Sequence, residues 1–166
     1  MVTESKSRIQ LDPVGGLEPA NAIRVFGAAD PAIQYVSRVA AYAVIIQQKR
    51  IAAVTTTSGY FLPGGGAQSG ETPEETVARE VREELARDVR IIRQIGEAIQ
   101  YFYADGNNYR MEAIFFEAEF ASEASGIGEH ELYWLEPEAW LRGFFHQSHA
   151  WAVGLIQGSA DEADNE

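Results

Sequence analysis

Between residues 64 and 84 the chain sets out a glycine run, one acid and then a cluster of acids at helical spacing: Gly64-Gly65-Gly66, Glu71, and Arg79-Glu80 with Glu83-Glu84. On a helix turning about 100° per residue, Glu80 at zero places Glu84 near +40° and Glu83 near −60°. Val77, Val81, Leu85 and Ala78 fall between about +60° and +160° on the same wheel. The apolar side can therefore pack on a sheet while the carboxylates lie at its border, partly shielded from water. Crowded acids there repel one another and resist full ionisation unless a cation is present. Hard divalent cations with oxygen ligands, Mg²⁺ or Mn²⁺, suit such a set. The glycines lack side chains, so their backbone can come close to a ligand or ion. Their carbonyls could ligate metal and their amides could face phosphate oxygens.

A plainer account exists for the same acids. Glu75–Arg79 and Arg79–Glu83 are i,i+4 pairs of the kind that decorate a solvated helix. A glycine-rich segment before a helix is also weak evidence alone, and residues 64–72 contain no lysine of the Walker type. The full spacing decides between the two. Gly65, five residues, Glu71, seven residues, Arg79-Glu80-Val81, one residue and Glu83-Glu84 resembles the Nudix box, G-x5-E-x7-R-E-U-x-E-E-x-G-U, where U is bulky and apolar. Two positions depart from it: Ala86 replaces Gly and Arg87 replaces an apolar residue. Ala in a left-handed helix exit costs roughly 1 kcal/mol, so the helix is expected to run on a little. Arg87 would fall beside the carboxylates and could pair with Glu83.

The resemblance extends to YFLPGGG, to W-L-x-P-E-x at 134–139 and to RVAAYAVI, which is similar to the first long strand of MutT-type members. It implies an α/β/α sandwich around a mixed β-sheet. It implies Mg²⁺, with Mn²⁺ as a substitute, held chiefly by Glu84 and Glu80, with Gly65 as a backbone ligand. Glu83 would be a further ligand or the base that deprotonates water. Arg79 would orient a carboxylate, and Glu71 would orient the loop or ligate through water. A glutamate near 129–131 serves as outer ligand or base in some members, which makes Glu131 a candidate beside Glu129; a loop or strand-edge acid is the plainer account of both. Arg38, Gly64 and Gly65 are candidate substrate contacts, Arg38 toward phosphate, although a capping or surface arginine is the more ordinary role. The implied reaction is hydrolysis of a phosphoanhydride in a small-molecule nucleoside diphosphate derivative, by a protein that is commonly a homodimer. A Nudix-fold module that binds a nucleotide or nucleotide sugar without cleaving it is the alternative. A third account is an acidic α+β interaction domain with a fortuitous helix.

These residues need elements to position them. Residues 22–27, 38–47 and 51–56 read as strands, the second continuous in apolar residues and so buried on both faces, with a turn at Lys49 and Arg50. Residues 60–72 read as a glycine-rich loop. The helix from Pro73 to Arg87 has a strong start: Thr72 as N-cap, proline at its first position, and Glu75 completing a T-x-x-E capping box. Runs 91–103 and 109–120 flank turn-forming Asp105-Gly106 and Asn107-Asn108, the mark of a hairpin. Residues 131–135 read as a strand, Pro137 opens a short helix, and 147–157 suits a final one. Strands with a few helices on their faces argue for a mixed-sheet α/β or α+β domain over 21–157. Residues 1–20 are expected to be a loose leader and 158–166 an acidic tail. Tyr60, Phe61, Tyr101, Phe102 and Tyr103 are candidate base-stacking or core aromatics, with Tyr101 and Tyr103 opposite Phe102 by alternation. His146 and His149 read as ordinary, partly buried histidines.

Composition narrows the function classes. The chain has 166 residues, 25 acidic against 13 basic, for a formal charge of −12, and no cysteine. A disulfide framework, a thiolate metal site and a cysteine nucleophile are excluded together. The charge argues against nucleic acid or an anionic membrane as partner. No apolar run is long enough to span a bilayer and the first residues lack a signal-peptide core, so the expected location is cytoplasmic.

Overall fold

The computed structural model describes residues 23–163, so the expected leader lies outside the described residues. The elements run β1 (Ile23–Phe26), β2 (Val36–Gln47), β3 (Arg50–Thr56), β4 (Gly59–Phe61), β5 (Gly64–Gly66), α1 (Pro73–Leu85), β6 (Val89–Ala104), β7 (Asn107–Phe120), β8 (Leu132–Leu135), α2 (Pro137–Gly143) and α3 (Gln147–Ala163). Helix α3 carries on six residues past Gln157, through much of the segment expected to be tail.

The sheet is mixed. Its order is β1-β6-β7-β2-β3-β4, with β5 added to β2 and β8 to β3. β1 and β2 each lie parallel to a strand of the long β6–β7 hairpin, at β6 and β7 respectively, and the remaining pairs are antiparallel. Two tight turns set the register. Gln48-Lys49 (φ 51° and 63°) joins β2 to β3, and Asp105-Gly106 (φ 50° and 78°) joins β6 to β7. Positive φ at both central residues matches the right-handed twist of the strands they connect. The first turn thus falls one residue before the Lys49-Arg50 position expected from sequence, and Arg50 opens β3.

Strand β2 explains why its sequence shows no polar alternation. Ala40, Tyr42 and Val44 pack with Ala152, Val153 and Ile156 of α3 on one face. Ala41, Ala43 and Ile45 pack with Val77 and Val81 of α1 on the other. The sheet is therefore sandwiched between helices, as an α/β/α fold. Val77 and Val81 are fully buried, each worth roughly 1.5–3 kcal/mol of apolar burial, which pins α1 by the apolar side of its wheel. On the α3 face Gly96 allows a close approach: a Cβ there would meet Trp151 at 2.9 Å and Leu155 at 3.1 Å.

Candidate functional site

The glycine run is strand rather than loop. Gly64, Gly65 and Gly66 pair antiparallel with Tyr42, Ala41 and Ala40 of β2. A side chain at Gly64 would strike the Ala41 carbonyl at 2.2 Å, and its φ of 139° is one that L side chains rarely adopt. At Gly65 an added Cβ would lie 2.7–2.9 Å from the Glu80 carboxylate, so that carboxylate rests on the glycine backbone. At Gly66 it would lie 3.0 Å from the Arg38 guanidinium. The three glycines thus hold α1 close to β2 and bring a carboxylate and a cation onto one short strand.

Helix α1 starts as the sequence predicts. Thr72 Oγ1 accepts from the Glu75 amide at 3.2 Å, and Glu75 Oε2 accepts from the Thr72 amide at 2.9 Å. Its end differs from expectation. The helix stops at Leu85, and Ala86 takes the left-handed conformation (φ 53°, ψ 35°). The following segment supplies the reason. The amides of Ser125, Glu129 and His130 donate to the carbonyls of Ala86, Glu83 and Glu84 at 2.8–3.0 Å. Gly128 packs so tightly on the helix end that a Cβ would sit 2.1 Å from the Glu84 carbonyl. These bonds satisfy orphan helix carbonyls and outweigh the strain at Ala86. Arg87 is consequently carried away from Glu83. Its guanidinium stands 4.8 Å from the Phe120 ring centroid and 3.9 Å from Glu123.

Arg79 organises the acids. Its Nε and Nη2 donate to Glu71, its Nη1 to Glu80 at 3.0 Å and Glu83 at 3.1 Å, and its Nη2 also to the Gly66 carbonyl at 2.9 Å. Glu71 additionally accepts from the Gln68 amide and the Thr76 hydroxyl. The Arg79 hydrogen bond, followed by the Gln68 amide, holds the Glu71 carboxyl down to about 2. Glu71 is therefore a permanently charged tether between the helix and the segment after β5.

Glu84 is the opposite case. It is 7 % exposed, and its Oε2 accepts from the Gly64 amide at 3.0 Å. Burial pushes its pKa up to about 8, with repulsion from Glu80, Glu129 and Glu83 adding to the effect and the Gly64 amide opposing it. The Gly64 amide is thus turned to a carboxylate rather than to a phosphate. Among the described residues no three acidic or imidazole groups converge at metal distance as they stand, because Arg79 draws Glu80 and Glu83 to itself. The donor set nevertheless fits a hard divalent cation. Its donors are all oxygens, and Glu84, buried and bonded to the Gly64 amide, has no cationic side chain bonded to it to favour its charged form.

Glu80 and Glu84 open on a cavity of about 300 Å³, at the small end for ligand pockets. Arg38, Gly64–Gly66, Glu80 and Glu84 line it together with Phe61, Phe102, Phe145 and His146. Arg38 makes no ion pair among the described residues. Glu83, 44 % exposed in its side chain, sits on the solvent side of the cluster. Glu131 is exposed just before β8 and lines no part of the cavity. Glu129 is the acid of that segment whose charge reaches Glu84. Of the aromatic candidates, Phe61 and Phe102 line the cavity. Tyr60 packs on Tyr133 and Tyr101 on Tyr35, and Tyr103 points outward at 64 % exposure. Tyr42, Asp105 and Phe145 also line the cavity, and sequence reasoning did not single them out. Tyr42 is hidden in an apolar run, Asp105 in a turn, and Phe145 in a segment with no pattern of its own.

The two histidines part company. His149 is fully buried and its Nδ1 accepts from the Leu62 amide at 3.1 Å, which ties α3 to the chain just before the glycines. His146 faces the cavity.

The family model described as NUDIX domain matches residues 36–153. Among solved structures, the MutT protein from Methanosarcina mazei Go1 is similar at 20% identity and a TM-score of 0.58, over 79% of this chain and 99% of that one. A NUDIX hydrolase from Nitrosomonas europaea is similar at 17% identity and a TM-score of 0.58, over 76% and 90% of the two chains. An ADP-ribose pyrophosphatase from Streptococcus suis is similar at 22% identity and a TM-score of 0.57, over 74% and 91%. No curated protein matches. No helix among the described residues is long and apolar enough to cross a membrane. With the carboxylate helix and the glycine strand both inside the matched residues, the chain belongs to the Nudix hydrolase family.

Proposed function

We propose that the protein hydrolyses a phosphoanhydride bond in a nucleoside diphosphate-linked compound, with Mg²⁺ as cofactor. The observation that carries this reading is the convergence of Glu80 and Glu84 with the glycine strand and an unpaired Arg38 on one cavity. Glu80, Glu84 and the Gly65 carbonyl would hold the cation, with Glu83 joining them or acting as base. The bound ion supplies neutralisation of the diphosphate, polarisation of phosphorus and a lower pKa for the attacking water. In the role of base, Glu83, the most exposed acid of the cluster, would take the proton of the attacking water. Arg38 binds a non-bridging phosphate oxygen, as a guanidinium placed beside side-chain-free backbone can do without steric competition. Arg79 and Glu71 do not touch the reacting atoms. They hold α1 against β5 and set the direction of Glu80 and Glu83.

The substrate panel follows from the chemistry and from the neighbours. It holds nucleoside triphosphates and an oxidised one, ADP-ribose, nucleotide sugars and dinucleoside polyphosphates. Phosphate release is measured across the panel with Mg²⁺ or Mn²⁺ and again with EDTA. The reading expects turnover of at least one member that EDTA abolishes. Turnover unchanged by EDTA, or none on any member, contradicts it.

A further inference from the structure

Helix α1 covers only one end of its sheet face. Ala41, Ala43 and Ile45 of β2 and Phe116 and Ala118 of β7 pack with Val77 and Val81 there. Strand alternation carries the same face onward past the helix. Two rows of side chains cross it in register. One runs Val39, Glu112, Ile99 and Val25, and the other Ile114, Glu97 and Ile23, each ending on the edge strand β1. No described element covers these rows. Ile23 is 56 % exposed, Val25 55 % and Val39 47 %, and a groove of about 190 Å³ lies between Ile23, Val39, Ile99 and Ile114. An apolar sheet face needs a layer over it.

Its size and charge limit what that layer is. Strands about 4.8 Å apart make four of them roughly 19 Å wide, and two rows of alternate residues add about 14 Å of length, so the bare area is roughly 300 Å². A stable dimer buries about 800 Å² on each partner. The area suits one extended segment of six or seven residues, about 20 Å long. The balance of charge is acidic. Glu112 is paired with Arg110, whereas Glu97 accepts from Gln94 and has no cation partner among the described residues.

The chain itself supplies such a segment. Residues 1–22 lead directly into Ile23, at the groove. Lys6 and Arg8 are their only bases, and Ile9 and Leu11 follow at strand alternation. Twelve residue steps separate Leu11 from Ile23, a reach of up to about 40 Å, or about twice the width of the face. Pro13 and Gly15-Gly16 are turn formers for the reversal. A tethered segment acts at an effective concentration in the millimolar range and avoids the association cost of a second molecule.

We infer that residues 5–11 of this chain lie over the bare end of the sheet, with Ile9 and Leu11 on Val39, Ile99 and Ile114 and with Lys6 and Arg8 reaching Glu97 and Glu112. The segment then completes the layer that α1 begins, in place of the loose leader expected from composition. Long basic side chains can bring their charge to an acid beside apolar surface while the stems pack on it. This goes beyond the hydrolase reading and does not depend on it.

The chain has no cysteine, so paired substitutions report the placement directly. The full-length chain carrying Leu11→Cys and Val39→Cys is compared, under mild oxidation, with one carrying Leu11→Cys and Glu138→Cys. Glu138 is an exposed residue of α2. The first pair is expected to close an intramolecular disulfide at least tenfold faster than the second. Adding Ile9→Asp to the first pair is expected to remove that advantage. Equal rates for the two pairs, or a rate that Ile9→Asp leaves unchanged, overturn the inference. A disulfide-linked dimer as the main product of the first pair also overturns it and assigns the face to a second copy. Neither readout involves turnover, so failure here is distinguishable from failure of the hydrolase reading.

Discussion

Glu80 and Glu84 are four residues apart and live in different electrostatic worlds. Glu80 rests on Gly65 and is bonded to Arg79. Glu84 is buried, bonded only to the Gly64 amide, and held up near pH 8. The absence of a side chain at Gly65 is what lets the Glu80 carboxylate come so close to the strand. Gly65→Ala places a methyl 2.7 Å from that carboxylate. The obstructing group is the far end of a flexible side chain, so the fold tolerates it while Glu80 is displaced. The expected outcome is a Tm within about 3 °C of wild type, a change of roughly 1 kcal/mol for a chain of this size, and Mg²⁺ affinity at least tenfold weaker by titration calorimetry. The acids and their spacing were legible in the sequence because helical geometry is rigid. The role of Arg79 as the common partner of Glu71, Glu80 and Glu83 was legible only in part, since the bond to the Gly66 carbonyl needs β5 beside the helix.

Helix α1 and strand β5 were predicted unequally. Thr72, Pro73 and Glu75 announce the helix start through local chemistry, and the structure repeats it bond for bond. Its end departs from the sequence expectation, because the donors that terminate it come from residues 125–130, too distant in sequence for any local rule. Strand β5 is not legible in the sequence for a related reason: three glycines carry no strand propensity, and only pairing with β2 makes them one. Two substitutions test this account of the helix end. Ala86→Gly relieves the left-handed strain, partly offset by the greater freedom of glycine in the unfolded chain. It should stabilise by about 0.5–1 kcal/mol, seen as a Tm rise of roughly 1–4 °C. Gly128→Ala drives a methyl into the backbone of Glu84 and Leu85. It should cost about 2 kcal/mol or more in chemical denaturation, because backbone on both sides has to move. A neutral Gly128→Ala would show that the 125–130 segment is not what closes the helix.

For the molecule as a whole, the net charge of −12 first reads as hostile to anionic ligands. The fold changes that reading by collecting several acids around one cation-seeking cluster, with Arg38 at its side. A diphosphate meeting a bound divalent ion does not meet the bare charge. The same cluster gives the metal-free protein a pH dependence of definite sign. Glu84 has a folded pKa raised to about 8, so its contribution to stability is complete below the ordinary carboxylate range and is lost as pH rises toward 8. His146 has a folded pKa lowered to about 4, and His149 is also lowered by burial. Their contribution is complete above about 6.5 and is lost as pH falls below it. Metal-free protein is therefore expected to melt at a lower temperature at pH 8.5 than at pH 6.5. Mg²⁺ should raise Tm more at the higher pH, since it favours the ionised cluster. A Tm that is flat or rising between those values without metal contradicts the burial of an unpaired Glu84.

The long strands and the carboxylate helix are legible in the sequence through periodicity and capping, and the sandwich of helix layers through the family resemblance. The cavity's aromatic side is not, because Phe61 of β4, Phe102 of β6 and Phe145 and His146 of the α2–α3 connection are brought together only by the folded sheet. The central claim is that the buried carboxylate Glu84 serves a divalent cation in phosphoanhydride hydrolysis. The most direct test is the turnover number of Glu84→Gln at saturating Mg²⁺, on the panel member that the wild type cleaves fastest. The variant keeps an acceptor for the Gly64 amide, so circular dichroism and melting should show an intact fold. The account predicts a loss of at least a hundredfold, about 2.7 kcal/mol of activation free energy. Turnover within a few-fold of wild type in that folded variant would contradict it.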